Sequence, residues 1–86
     1  MKPELETGDE IRFIFSRPIE LTVYETEDIS VNEPFGNDNE EYEADIVSVN
    51  DHNMEIQFGD GSVTWIKPEH IDVLCVNGEK TANIPD

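Results

Sequence analysis

Residues 41–58, EYEADIVSVNDHNMEIQF, decide the class of fold. Apolar residues alternate with acidic or polar ones in both halves of this stretch, as in strands that face a core on one side and water on the other. The residues predicted to point inward are Tyr42, Ala44 and Ile46 in the first half, then Met54, Ile56 and Phe58 in the second. Because four polar residues separate the two halves, the sequence predicts an antiparallel hairpin.

The alternation slips by one residue at Ile46-Val47, and Val47 and Val49 then occupy the predicted apolar face. A slip of this kind is typical of a β-bulge or a sharp bend. We therefore predict that this strand bends strongly, which would let a small sheet curl on itself.

The same alternation continues on both sides of this hairpin. It predicts strands over residues 10–15, 19–25 and 72–76, and a further strand that includes Val63 and Trp65. Residues 68–71, which begin with a proline, predict one helical turn. Residues 26–40 have few apolar side chains and predict a long acidic loop.

The composition favours a folded, mostly β domain. Leu, Ile, Val and Phe make up 23 of the 86 residues, and 16 of these are Ile or Val, which suit pleated strands better than helices. This apolar share lies above the level of about 20% at which disorder becomes the default. We predict one domain over residues 1–86, with a core over 8–76 and flexible ends at 1–7 and 77–86.

Residues 41–74 resemble the Tudor-type SH3-like barrel. The family's recurring elements are matched here by Gly8-Asp9, Tyr42 to Val47, Met54 to Phe58, Asp60-Gly61, Trp65-Ile66, and Pro68 to Ile71. The resemblance implies a small antiparallel barrel of five to six strands, with a short helical turn before the last strand. In this chain, residues 16–40 form a long acidic insertion where the family has a short loop.

Tudor domains that read methylated side chains use an aromatic cage, which attracts a cation over its ring faces. The family's aromatic residue between Asp60 and Gly61 is missing here. Tyr42 and Trp65 remain as candidates for a peptide groove. The alternation nevertheless predicts burial of Phe58 and Trp65, because aromatic side chains dominate small cores.

The charge excludes several classes of function. The chain has 21 acidic and 5 basic residues, and its net charge of −16 argues against direct binding of nucleic acid or of anionic membranes. No stretch is apolar enough to predict a membrane span, and the first residues predict no signal peptide. The lone Cys75 fits a reducing compartment, so we predict a cytoplasmic protein.

The acidic residues are concentrated in residues 25–45, which contain no basic residue. These candidate partner-binding residues are Glu25, Glu27, Asp28, Glu33, Asp38, Glu40, Glu41, Glu43 and Asp45. On a strand, alternate carboxylates repeat about every 6–7 Å, which is comparable to the spacing of phosphates along a nucleic-acid strand. In charge and size, the chain resembles the acidic nucleic-acid mimics that phages and mobile elements use as inhibitors.

The sequence predicts no enzyme and no cofactor. It contains no phosphate-binding glycine loop and no paired cysteines, and neither histidine lies near a candidate nucleophile. Cys75 lies in an apolar run and is predicted to be an inert, buried thiol. We therefore assign no catalytic residue and no metal ligand.

Three hypotheses about function remain open from the sequence. The first is an acidic mimic that blocks or modulates a basic nucleic-acid-binding protein. The second is a Tudor-like adaptor that docks a basic or extended peptide near Tyr42 and Trp65, or at a sheet edge. The third is a subunit of a larger assembly, and the sequence does not separate a monomer from a homodimer.

Overall fold

A computed structural model describes residues 5–80 of the chain, which are almost entirely β-structure. The strands are Glu10–Phe15 (β1), Ile19–Tyr24 (β2), Ser30–Phe35 (β3), Tyr42–Val49 (β4), Met54–Phe58 (β5), Val63–Ile66 (β6), Ile71–Val76 (β7) and Glu79–Lys80 (β8). Two short 3-10 turns, Asn37–Asn39 and Pro68–His70, complete the regular structure. The mostly β class is confirmed, as is the helical turn that begins at Pro68.

The strands form one antiparallel sheet in the order β3-β2-β6-β5-β4-β1-β7-β8. β3 and β8 are therefore its edges. The helical segments of residues 5–80 are three residues long each, and none has the length and hydropathy of a membrane span.

The alternating apolar and polar residues of the sequence lie on opposite faces of the sheet. In β4, Ala44 and Ile46 are buried while Glu43 and Asp45 are exposed, and β1 follows the same pattern. The buried residues of the strands form one hydrophobic core. We call the opposite side, which carries Glu43 and Asp45, the outer face.

The predicted slip in β4 is confirmed as a break in register. Ile46 pairs with Ile56 of β5 and Ser48 pairs with Glu55, so Val47 is an extra residue between the two pairs. Val47 and Val49 are each 41% exposed, however, and the prediction that they take over the apolar face is wrong. Val47 has no partner opposite it on β5, and Val49 is the last residue of β4, at the margin of the sheet.

The acidic insertion is more regular than the sequence predicts. Within residues 26–40, which we predict as a loop, Ser30–Phe35 form β3 and pair with β2 along all six of its residues. Pro34 lies in this edge strand, where a missing amide hydrogen is tolerated. The insertion is therefore a β-hairpin followed by a 3-10 turn, and the sheet has more strands than the five to six predicted.

A cluster of aromatic rings fixes this hairpin to the rest of the sheet. Phe35, at the end of β3, is buried, with its ring centroid 5.4 Å from those of Phe15 and Tyr42 and 5.8 Å from that of Phe58. The hydroxyl of Tyr42 accepts a hydrogen bond from the amide of Gly36, and burial raises the pKa of this phenol. The cluster joins β3 to β1, β4 and β5, none of which is its neighbour in the sheet.

Replacing Gly36 with alanine should destabilise the fold by about 3 kcal/mol. Gly36 has a φ of +82°, and a Cβ there would lie 2.6 Å from the backbone oxygen of Arg17. The left-handed conformation alone costs an alanine about 1–2 kcal/mol, and the clash with backbone adds to that cost. Urea unfolding followed by circular dichroism measures the loss.

The matched control is Gly61→Ala, in the turn between β5 and β6. Gly61 has a φ of +92°, but a Cβ there meets nothing within 4 Å. We therefore expect only the conformational cost of about 1–2 kcal/mol. Equal losses in the two variants would contradict a role for the close approach of Gly36 to Arg17.

The ends of the chain are described in part. Of the ends predicted to be flexible, residues 1–4 and 81–86 lie outside the described residues. Leu5 packs against the core, and β8 pairs with β7. The amide of Asn77 donates to the backbone oxygen of Glu10, so the turn after β7 contacts the start of β1.

Candidate functional site

Two acidic residues of β4, and a third immediately before it, form an exposed row on the outer face. Glu41, Glu43 and Asp45 alternate with the inward residues Tyr42 and Ala44, and all three are exposed. We call these three residues the acidic row. Strand geometry spaces their α-carbons about 6–7 Å apart.

The neighbouring strand β1 adds a fourth carboxylate. Glu10 lies directly opposite Asp45 in the β1–β4 register and is also exposed. Like charges at opposed positions of a sheet destabilise it. We call the acidic row together with Glu10 the acidic face. The sequence did not reveal the contribution of Glu10, because it depends on the register between strands.

One arginine partly compensates this charge. The Nη2 atom of Arg12 lies 2.7 Å from Oε1 of Glu43, and its Nη1 lies 3.9 Å from Oε1 of Glu41. The hydrogen bond to Glu43, and then the charge of Glu43, raise the pKa of this guanidinium. Arg12 thus pairs with two neighbouring acids, whereas Arg17 has no ion pair within residues 5–80.

Glu25, Glu27 and Asp28 lie at the tip of the insertion, away from the acidic row. Glu25 and Glu27 do not continue the strand spacing, because β2 ends at Tyr24. The backbone folds back instead, with the hydroxyl of Thr26 accepting hydrogen bonds from the amides of Asp28 and Ile29. Glu25, Glu27 and Asp28 are therefore exposed on a tight turn and not along a strand.

The remaining candidate acids lie elsewhere. Glu33 is opposite Leu21 in the β2–β3 register, so it points to the opposite side of the sheet from the acidic row. Asp38 lies in the first 3-10 turn, and Glu40 accepts a hydrogen bond of 3.1 Å from the hydroxyl of Tyr42. The nine candidate acids are thus all exposed, but only Glu41, Glu43 and Asp45 form a row.

Tyr42 and Trp65, the candidates for a peptide groove, lie on opposite sides of the sheet. Tyr42 points inward and packs against Phe13, with ring centroids 5.9 Å apart. Trp65 is on the outer face and is 41% exposed, so the prediction of its burial is wrong. Phe58 is partly buried and packs in the core.

The reason for the exposure of Trp65 is the identity of its neighbours. Thr64 and Ile66 occupy the inward positions of β6, and Thr64 is almost fully buried. Its hydroxyl donates a 2.7 Å hydrogen bond to the backbone oxygen of Thr22 on β2. That bond satisfies the buried hydroxyl and lets a polar residue replace an apolar one in the core.

The outer face also carries an apolar area, which the alternation of polar and apolar residues did not predict. Tyr24 lies opposite Val63, and Trp65 follows Val63 by two residues on the same face. We call these three residues the aromatic patch. Tyr24 is 42% exposed and Trp65 is 41% exposed. Val63 is partly buried.

Within residues 5–80, no group of three or more His, Cys, Asp and Glu side chains is arranged to hold a metal ion. Cys75, predicted to be buried, is only partly so, and it lies opposite Arg12 in the β1–β7 register.

Comparisons with protein-family models, with curated proteins and with solved structures find no match to this chain. The two features on which a function can be argued are therefore the acidic face and the aromatic patch.

Proposed function

We propose that this protein is a non-enzymatic acidic binding protein that mimics the phosphate charge of nucleic acid and blocks or modulates a basic nucleic-acid-binding protein. Such a protein is an inhibitor of the phage or mobile-element type, acting in the cytoplasm. The observation that carries the proposal is the acidic face, in which exposed carboxylates lie on two adjacent strands.

Rigidity supports the proposal. Glu43 and Asp45 belong to β4, which has a paired strand on each side, so the backbone of the sheet sets the spacing of their α-carbons, and Glu41 lies immediately before this strand. A basic cleft that binds a phosphate backbone requires charges at a regular separation. Carboxylates spaced about 6–7 Å apart along a strand meet this requirement without further ordering of the chain.

Repulsion within the face also supports a role in binding. Glu10 and Asp45 are opposed like charges, and Arg12 pairs with Glu43 and Glu41 and not with either of them. Such an arrangement costs stability in the free protein, and a cationic partner would relieve that cost on binding.

We also propose that the sheet curls into an SH3-like barrel of the Tudor type. The strands β6-β5-β4-β1-β7 are consecutive in the sheet, and the 3-10 turn Pro68–His70 lies between β6 and β7. This order and the position of the turn support the family resemblance. In this interpretation, β2 and β3 are a hairpin inserted after the first strand of the barrel.

A pull-down with competing DNA tests the proposed function. The tagged protein should retain nucleic-acid-binding proteins from a cell lysate, and excess duplex DNA should displace them. Elution should follow a salt gradient, because several charge pairs are broken together. The control is the same pull-down with an equal concentration of an uncharged polysaccharide, which should displace nothing.

Retention that is insensitive to both DNA and salt would contradict charge mimicry. It would favour the adaptor hypothesis, in which the protein docks a peptide and the acidic residues only guide its approach.

A further inference from the structure

The aromatic patch has the properties of a contact surface. Tyr24 and Trp65 remain more than two-fifths exposed on the outer face, although each ring offers a large apolar area. Trp and Tyr are the residue types that most often dominate binding energy at protein interfaces. An exposed pair on adjacent strands therefore differs from the single apolar residues that any surface carries.

The register brings the two rings to one place. Because Tyr24 is opposite Val63, Trp65 is its diagonal neighbour on the next strand, about 7–8 Å away between α-carbons. The ring contacts of the described residues join the interior cluster of Phe13, Phe15, Phe35, Tyr42 and Phe58. Tyr24 and Trp65 take no part in them, and each keeps about two-fifths of its surface exposed to solvent.

Acidic and polar side chains border the patch. Glu55 lies directly opposite Trp65 in the β5–β6 register, and Gln57 lies opposite Val63. Gln57 is also opposite Asp45, so the row from Tyr24 through Val63 and Gln57 leads directly into the acidic face. Two strand spacings, about 10 Å, separate Val63 from Asp45. Lys67 follows the last residue of β6 and is exposed, so it adds one positive charge near Trp65.

This combination fits a guanidinium group. A planar guanidinium stacks on aromatic faces and pairs with a carboxylate at the same time, whereas an ammonium is a more strongly hydrated point charge. A second copy of this chain is a poor occupant, because each copy carries a net charge of −16.

We infer that the aromatic patch binds an arginine side chain of the basic partner, with its guanidinium against Trp65 and Tyr24 and within reach of Glu55. The patch and the acidic face are then one continuous binding surface. This inference rests on the proposed function, since it names a second point of contact with the same partner.

Titration with oligo-arginine and oligo-lysine peptides of nine residues tests this inference. Trp65 is the only tryptophan of the chain, so its fluorescence reports directly on the patch. Oligo-arginine should shift or quench the emission and should bind several-fold more tightly than oligo-lysine at the same salt concentration. Calorimetry should show that Trp65→Ala weakens oligo-arginine binding by about 3- to 30-fold and removes the preference over lysine. Trp65→Phe should retain part of the preference for oligo-arginine.

Ile29→Ala is the matched control, because Ile29 is an exposed apolar residue in the β2–β3 turn, outside the patch. It should leave both affinities unchanged, and circular dichroism checks that each variant is folded. An affinity for oligo-arginine within two-fold of the parent in Trp65→Ala, or binding without any change in Trp65 emission, would overturn the inference.

The same titrations separate the two proposals. Replacing the three residues of the acidic row with lysine should weaken the binding of both peptides. The preference for oligo-arginine over oligo-lysine should remain. If reversal has no effect but Trp65→Ala does, the mimicry proposal fails and the aromatic contact stands. If only reversal has an effect, the aromatic contact fails and the mimicry proposal stands.

Discussion

Reversing the acidic row, in the variant Glu41→Lys/Glu43→Lys/Asp45→Lys, should weaken binding to the basic partner by at least about 100-fold. Close charge pairs at interfaces contribute about 1.5–7 kcal/mol each where they have been measured, and about 1.4 kcal/mol corresponds to a factor of ten. The loss of three such contacts, and their replacement by repulsion, should therefore weaken the affinity by more than two orders of magnitude. Calorimetry or surface plasmon resonance with the partner captured by the pull-down measures the effect.

The fold should tolerate this change. A lysine at position 43 would lie beside Arg12, which costs stability, but a lysine at position 45 would face Glu10 and replace a repulsive pair by an attractive one. Thermal unfolding of the free variant checks this balance. The neutral variant Glu41→Gln/Glu43→Gln/Asp45→Asn provides a second measurement without new positive charges.

A control variant with the same net charge tests the position of the row. Asp51, Glu69 and Glu79 are exposed and lie outside the acidic face, so their reversal to lysine gives the same change in total charge. We expect this control to weaken binding far less than the row reversal, because it alters only the long-range attraction. Equal losses would mean that total charge, and not the strand-spaced row, determines binding.

Replacing Phe35 with alanine should cost about 3–5 kcal/mol of folding free energy, the usual range for a buried phenylalanine. Phe35 packs against Phe15, Tyr42 and Phe58, so its loss leaves a cavity where the insertion meets the rest of the sheet. The free energy of unfolding of small domains is only about 5–15 kcal/mol, and self-repulsion at a net charge of −16 acts to lower it. We expect the variant to be largely unfolded at low ionic strength.

Salt should partly rescue the Phe35→Ala variant, because it screens the repulsion without filling the cavity. Urea unfolding at low salt and at about 0.5 M salt measures both effects. Tyr24→Ala is the control, since that ring is exposed and its removal should cost far less. A loss for Phe35→Ala as small as that for Tyr24→Ala would show that the ring cluster does not hold the insertion in place.

The strands that could be predicted are those whose alternation is complete. β1 and β5 have an apolar residue at every second position, and their limits in the structure match residues 10–15 and the run that begins at Met54. A period of two is a direct consequence of strand geometry, so it can be recognised without knowledge of the tertiary structure. The break at Ile46 was visible for the same reason.

β3 could not be recognised in this way. Residues 30–35 contain Asn32, Glu33 and Pro34, and all but Phe35 are exposed in the structure. Their strand conformation comes from pairing with β2, which is a tertiary interaction, and not from a buried face. The acid-rich composition therefore predicted a loop.

The candidate site was predictable to the same degree. The acidic row follows from alternation within one strand, and the exposure of its three residues agrees with that prediction. Its extension by Glu10 depends on the register of β1, and the exposure of Trp65 depends on a buried hydroxyl at Thr64 that finds a backbone acceptor on another strand. Neither is encoded in the local pattern of polar and apolar residues.

The edge position of β3 has a consequence for self-association. An open sheet edge offers unpaired backbone groups on which another molecule can add a strand, and this is a common beginning of aggregation. Here the edge strand contains Pro34, which has no amide hydrogen to donate, and Glu33 immediately before it, whose charge would be repeated in every added copy. Glu33 and Pro34, which made residues 30–35 look like a loop in the sequence, thus disfavour the addition of further copies at this edge.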